Sequence, residues 1–206
     1  VGIYISTNNG TNWTQTALNN LDVDALTASG TNIYAGTEHG VYRTSNNGAN
    51  WSIPDLADQY VHSLLVVGSS IYVGAELWGG TYGGGVYASG NNGATWNFIG
   101  LYNTSVHSLA AIGNTVYAGI DYIWPNSGTS GVYVYNNTGT SWTQLGLIYE
   151  WVFALAVSGN NLFAGSSADY YPSQGTGGVY LSTNNGATWI KKNQGFYNED
   201  IESLLC

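Results

Sequence analysis

An eight-residue pattern occurs five times along this 206-residue chain, and every copy ends in tryptophan. The five tryptophans are Trp13, Trp51, Trp96, Trp142 and Trp189. Successive copies are 38, 45, 46 and 47 residues apart. A period of this length is typical of one supersecondary unit that is copied and stacked, because such a unit cannot bury its apolar face alone. The repeat therefore constrains the architecture more than any other feature.

Three short apolar segments recur between the tryptophans, and in one repeat they cover residues 23–26, 33–36 and 40–42. They are rich in β-branched and aromatic residues and are bounded by Gly, Asn or Ser, which is typical of strands. With the tryptophan segment they predict four antiparallel strands, called a, b, c and d in chain order. Radial repetition of such sheets is an all-β fold, the β-propeller.

In this order the chain opens on strands c and d, contains four complete sets and ends with one strand a. Residues 1–206 are thus predicted to form a single propeller domain or propeller segment, with four complete blades and partial blade strands at both ends. Closing a five-bladed ring would need one more strand b. We favour a segment of a larger propeller; alternatively a neighbouring copy supplies the missing pairing, which would lead to head-to-tail self-assembly.

Composition restricts the partners. Twelve acidic residues against three basic ones give a net charge of −9, so nucleic acid and anionic membrane surfaces are poor partners. No apolar run is long enough to predict membrane insertion.

A single cysteine, Cys206, excludes an internal disulfide, and no cofactor fingerprint is present, so no cofactor is expected. The low charge and the Asn- and Thr-rich surface predict an extracellular or cell-surface protein, which we expect to be bacterial.

The repeated string, Ser/Thr-x-Asn-x-Gly-x-x-Trp, resembles the Asp-box, also called the BNR repeat, with Asn where Asp is commoner. The resemblance covers essentially the whole chain and implies a propeller of the sialidase and sortilin type, with the box as a structural turn on the outer part of each blade. The residues that match are Ser6, Asn8, Gly10 and Trp13; Thr44, Asn46, Gly48 and Trp51; Ser89, Asn91, Gly93 and Trp96; Asn137, Gly139 and Trp142; and Ser182, Asn184, Gly186 and Trp189. In the fourth copy Tyr135 replaces the hydroxyl residue.

Asp-box propellers include sialidases and xyloglucan-cleaving hydrolases as well as non-enzymatic receptors. The resemblance implies three substrate-binding arginines for a sialidase, and this chain has only Arg43. Long b–c loops carry exposed aromatic residues that suit a glycan or a surface protein, and these are the predicted ligand-binding residues. They are Trp78, Tyr82, Tyr122, Trp124, Tyr170 and Tyr171.

Two rows of polar residues run across the blades. Glu38, Glu76 and Asp121 follow the glycine of strand b by two residues, and Asp169 follows at a longer offset, so a pair among them is a weak candidate for glycoside hydrolysis. The second row lies on the innermost strand a, where it could line the mouth of the central channel. Its members are Asp24, His62, His107, Phe153 and Glu202. These are one per blade, so we expect residues bonded to water and no metal site.

The leading hypothesis is a non-enzymatic propeller that binds a glycan or a surface protein through its aromatic b–c loops. The first alternative is a structural subunit of an extracellular fibre or surface layer. The second is a glycoside hydrolase that uses the paired loop carboxylates.

Overall fold

A computed structural model describes residues 1–53, 55–77, 83–121, 130–137, 140–168, 176–194 and 200–205. Within these ranges the chain forms seventeen strands and no helix, and so none that could span a membrane. The strands are β1 (Gly2–Ile5), β2 (Thr14–Asn19), β3 (Val23–Ser29), β4 (Asn32–Thr37), β5 (Gly40–Thr44), β6 (Gln59–Val67), β7 (Ser70–Leu77), β8 (Gly85–Ser89), β9 (Asn97–Gly100), β10 (Val106–Ile112), β11 (Thr115–Ile120), β12 (Gly131–Tyr135), β13 (Trp142–Gly146), β14 (Glu150–Ser158), β15 (Asn161–Ala168), β16 (Gly178–Ser182) and β17 (Ile190–Lys191).

These strands form five antiparallel sheets, each built from consecutive strands, and the sheets are the blades of a β-propeller. Blade 1 is β1–β2, blade 2 is β3–β5, blade 3 is β6–β9, blade 4 is β10–β13 and blade 5 is β14–β17. The first strands of blades 2 to 5 lie side by side, each in contact with the next. The predicted fold class and the order of strands are confirmed.

Two predicted strands are not formed. Blade 2 has three strands, and its edge is completed by isolated backbone contacts. Ser52 N donates to Arg43 O at 2.8 Å, and Val41 and Asp55 exchange two hydrogen bonds, from Val41 N at 2.8 Å and from Asp55 N at 2.9 Å. Pro54 lies between Ser52 and Asp55 in the sequence and has no N–H to donate to a ladder. At the other end, residues 200–205 form no strand, although Ile201 N donates to Ser166 O at 3.4 Å.

The core lies between neighbouring blades. Tyr34, Val61 and Val73 are fully buried in the cluster that joins blades 2 and 3. The repeat tryptophans contribute to these interfaces: the Trp142 indole N–H donates to Ile99 O of the preceding blade at 2.9 Å. Trp13 is the exception, since it is 62% exposed in blade 1.

Four of the outer turns, each of which follows strand c, are closed by the same hydrogen bonds. In blade 3, the Ser89 hydroxyl donates to Asn91 Oδ1 at 2.9 Å and accepts from Gly93 N at 2.9 Å, while Asn91 Oδ1 accepts from Thr95 N at 3.0 Å. The copies that start at Ser6, Thr44 and Ser182 repeat this pattern. Asn92 and Gly93 take φ of 58° and 77°, a left-handed pair that asparagine and glycine tolerate best. These turns follow strand c of their blades, on the side away from the innermost strand.

Candidate functional site

The innermost strands of blades 2 to 5 each contain one β-bulge at the same position. In β6, Val61 pairs with Ala75 and Ser63 with Gly74, so His62 is the extra residue. The same shift makes Asp24, His107 and Phe153 the extra residues of β3, β10 and β14. A bulge bends its strand and re-aims the side chain. The bulged residues are the first four members of the row that the sequence predicted on strand a.

Close contact between blades brings these bulges together. The glycine of strand b, such as Gly36, faces the valine that precedes the bulge in the next blade. A Cβ atom on Gly36 would lie only 2.5 Å from Val61 Cγ1, and one on Gly119 only 2.6 Å from Val152 Cγ1. Gly165 faces Ile201 in the same way, at 2.5 Å. The absence of a side chain at these glycines therefore sets the distance between adjacent innermost strands.

The bulged residues line one pocket of about 450 Å³, together with Glu202. Its five lining residues are Asp24, His62, His107, Phe153 and Glu202. The prediction that this row lines a common opening is confirmed, including its last member, which lies outside any strand.

Two carboxylates of the other predicted row contact the histidines that line this pocket. Glu76 lies near the end of β7 and accepts a hydrogen bond from Ser105 Oγ at 2.8 Å. Asp121 follows β11, and its Oδ2 lies 2.9 Å from Nε2 of His107. Both side chains therefore contact the group of residues around the two histidines.

His62 lies between two carboxylates. Its Nδ1 is 3.5 Å from Asp24 Oδ2, and its Nε2 is 3.6 Å from Glu76 Oε2. The imidazole stacks on the ring of Tyr60 and on that of His107, both at a centroid distance of 4.4 Å. The row of rings continues to Phe153, which meets His107 edge-on at 5.0 Å. His62 is the centre of the site, since it contacts members of three blades.

The electrostatics of the site favour the ionised form of Glu76. The imidazole of His62 and the Ser105 hydroxyl hold the pKa of Glu76 below its usual value, although partial burial acts in the opposite direction. Burial, reinforced by the charges of Asp24, Asp22 and Glu38, raises the pKa of Tyr60 to about 12. Tyr60 is thus a neutral phenol that packs against the pocket at physiological pH.

Two other carboxylates have different surroundings. Glu38, a predicted weak catalytic candidate, lies 4.0 Å from Nε2 of the exposed His39 and does not line the pocket. Glu150 is buried at the start of β14, and its oxygens accept from Ser166, Thr176 N, Gly177 N and Tyr180. These bonds tie the returning end of the blade 5 loop to the sheet, so Glu150 has a structural role.

Several predicted site residues lie outside the described ranges. They are all six aromatic ligand-binding candidates, Trp78, Tyr82, Tyr122, Trp124, Tyr170 and Tyr171, together with Asp169 and Gly139. What the sequence reasoning missed is that the two rows meet. The repeated strand b glycine, which lets each blade approach the next, was the available signal for that convergence.

Solved structures share this fold. An ancestral GH74 enzyme matches 96% of the chain with a TM-score of 0.76 and 23% identity, over 29% of that enzyme. An extracellular domain from B. thetaiotaomicron, assigned to a hybrid two component system, matches 94% with a TM-score of 0.69 and 20% identity, over 26% of its own length. The GH74 xyloglucanase from Xanthomonas campestris matches 83% with a TM-score of 0.59 and 16% identity, over 29% of that enzyme.

At these identities the comparisons show a β-propeller fold, and the chain spans less than a third of the length of each of these proteins. No protein-family model matches the sequence, and no curated protein matches it either. The hypothesis of a non-enzymatic binding module is corrected here, because the similar folds include GH74 enzymes. The loop aromatics on which that hypothesis rested lie outside the described residues. Two of the carboxylates, Glu76 and Asp121, contact the histidines of the pocket.

Proposed function

We propose that this chain is part of an extracellular glycoside hydrolase that cleaves a neutral polysaccharide at the innermost-strand pocket. The observation that carries the proposal is the convergence of Glu76 and Asp121, from neighbouring blades, on the two histidines. The likeness to GH74 propellers and to one extracellular domain supports it.

The chemistry needs two carboxyl groups on opposite sides of the glycosidic bond, one to donate a proton and one to act as base or nucleophile. Asp121 is assigned as the proton donor, because its Oδ2 shares a hydrogen bond with His107 Nε2, through which the proton can be replenished. Glu76, which accepts a hydrogen bond from Ser105, is assigned as the base or nucleophile. The glycosidic C–O bond breaks as its oxygen takes the proton from Asp121, while water supplies the hydroxyl group of the anomeric carbon and gives its own proton to a carboxylate of the pair.

The surroundings favour an uncharged substrate. Asp24 and Glu202 add negative charge to the pocket lining, and the whole chain carries −9, so an anionic sugar would be repelled. The rings of Tyr60 and Phe153 offer apolar faces on which the C–H face of a pyranose can pack. Xyloglucan, the substrate in the name of the X. campestris enzyme, is neutral and is the first substrate to test.

The test is release of reducing ends from xyloglucan and other neutral polysaccharides by the intact protein. Glu76→Gln and Asp121→Asn are each expected to lower kcat by about 10²-fold or more, because each removes a proton-transferring or nucleophilic group. Asp58→Asn is the matched control, since Asp58 is an exposed carboxylate outside both rows. Full activity in both pocket variants, or no cleavage of any neutral polysaccharide by the wild type, would refute the proposal.

A further inference from the structure

His62, Glu76 and His107 come from three strands, β6, β7 and β10, and from two blades, yet they meet at one point. One nitrogen or oxygen atom of each lies within 4.8 Å of the corresponding atom of the other two. We propose that these three side chains form a binding site for a divalent transition metal of the zinc type. Two imidazoles and one carboxylate are a donor set that such ions accept, with water in the remaining positions.

The bonding of each histidine supports this assignment. A histidine that binds a metal through one ring nitrogen commonly has its other nitrogen held by a carboxylate, which sets the ring orientation. Asp121 holds Nε2 of His107 at 2.9 Å, which leaves Nδ1 for an ion. Asp24 lies 3.5 Å from Nδ1 of His62, which leaves Nε2. Each histidine therefore has one ring nitrogen beside a carboxylate that is not itself a proposed ligand, and its other nitrogen on the side of the proposed site.

The burial of Nε2 of His62 is a second indication. This atom is buried, and within the described part of the chain it has no hydrogen-bond partner. A buried polar atom without a partner is unfavourable, and an ion would satisfy it. This nitrogen is 3.6 Å from Glu76 Oε2, close to the separation of about 3.4 Å that two ligands of a tetrahedral zinc ion have when both bonds are near 2.1 Å.

Binding requires a limited rearrangement. The His62 and His107 rings are stacked with an interplanar angle of 28°, and both lone pairs can point at one ion only if the rings tilt further apart. The surrounding charge favours the ion, because Asp24 and Glu202 of the pocket lining add to Glu76. Two of the three basic residues are bonded elsewhere: Arg43 donates to Asn92 O of an outer turn, and Lys191 donates to Thr176.

The metal site does not depend on the proposed hydrolase activity, and its test is a binding measurement. The two proposals do share Glu76, which cannot hold an ion and serve the reaction at the same time. Bound zinc is therefore expected to inhibit hydrolysis. Absence of hydrolysis would leave the binding result intact, and absence of zinc binding would leave the kinetic result intact.

The experiment is isothermal titration of the metal-free intact protein with Zn²⁺, in a Cys206→Ser background that removes the single thiol. One ion per chain is expected to bind. Glu76→Gln and His107→Gln should each weaken binding by at least about 10-fold, as loss of a ligand should exceed the effect of losing a residue that orients one. The matched control is His39→Gln, which removes the remaining histidine, exposed and paired with Glu38, and should leave the affinity unchanged.

A second measurement avoids the risk that a variant fails to fold. The chain has only three histidines, so their imidazole NMR signals can be followed in the wild-type protein during the titration. Zn²⁺ should shift the signals of His62 and His107 and leave those of His39 in place, and Ca²⁺ should shift none. Loss of binding in His39→Gln, unchanged binding in Glu76→Gln, or a shift confined to His39 would overturn the proposal.

Discussion

The outer turns and the inner bulges are both repeated in four places, but they use repetition differently. The turns keep the same side chains and the same hydrogen bonds, as the copies at Ser6 and Ser89 illustrate. The bulges keep the same backbone irregularity and change the side chain, from Asp24 to His62 to Phe153. The repeated backbone therefore serves two purposes. The outer turns stabilise each blade, and the inner bulge gives each blade one position at which the side chain varies.

The largest effect is expected where the scaffold sets the distance between blades. Gly119→Ala places a Cβ 2.6 Å from Val152 Cγ1 and 2.9 Å from the Val152 carbonyl oxygen, which is backbone and cannot easily move. The free energy of unfolding should fall by about 3 kcal/mol. Urea denaturation measures it, and Gly90→Ala is the control because open space surrounds that exposed glycine. Equal stability of the two variants would show that the glycines do not set the spacing.

The next largest effect on the free energy of unfolding is expected in the outer turns, and it shows whether their hydrogen bonds stabilise the fold. Ser89→Ala removes the acceptor of the buried Gly93 N–H and should reduce the free energy of unfolding by about 1.5 kcal/mol. Ser6→Ala removes the same bond from an exposed turn, where water replaces it, so a loss of about 0.5 kcal/mol is expected. Chemical denaturation of both variants gives the comparison. Similar losses would mean that burial of the turn does not matter.

A smaller effect concerns Tyr180, whose hydroxyl donates to the buried Glu150 at 2.7 Å. Burial is the main reason that the pKa of Tyr180 is raised to about 12. Its contribution to stability is therefore complete below the unfolded value near 10 and is lost as the pH rises through about 12. Tyr180→Phe should cost about 1 kcal/mol near neutral pH and make stability fall less steeply above pH ~10.

Alkaline denaturation of the wild type and of Tyr180→Phe measures this difference. Tyr4→Phe is the control, since Tyr4 is 49% exposed. An alkaline loss of the same size in Tyr180→Phe as in the wild type would exclude Tyr180 as its source.

The smallest effect on stability is expected at the inner position itself. Asp24 is about one-third exposed and lies 3.5 Å from His62, so Asp24→Asn should change the free energy of unfolding by less than about 0.5 kcal/mol. Its effect on zinc affinity should be larger, about 10-fold, because the orientation of His62 is lost. Thermal unfolding and titration calorimetry separate the two. A large loss of stability with unchanged zinc affinity would make the inner row structural, like the outer one.

Much of the fold was predictable because its signals are local. Each outer turn closes within a few residues through hydrogen bonds of its own Ser or Thr and Asn side chains, as in residues 89–95. The predicted strands then follow from short apolar segments between such turns. Two exceptions occur: the sequence has Pro54 where the fourth strand of blade 2 was predicted, and Trp13 is largely exposed in blade 1.

The sequence by itself determined the blades, their order and the row on strand a, since these depend on a repeat that is written out five times. Only the tertiary structure decided that Glu76 and Asp121 meet His62 and His107. The physical reason is that residues from different blades approach one another according to the bulge that re-aims each side chain and the glycine contact that sets the blade spacing. Neither the direction in which a bulge aims its side chain nor the distance between blades can be read from the spacing of residues along the chain.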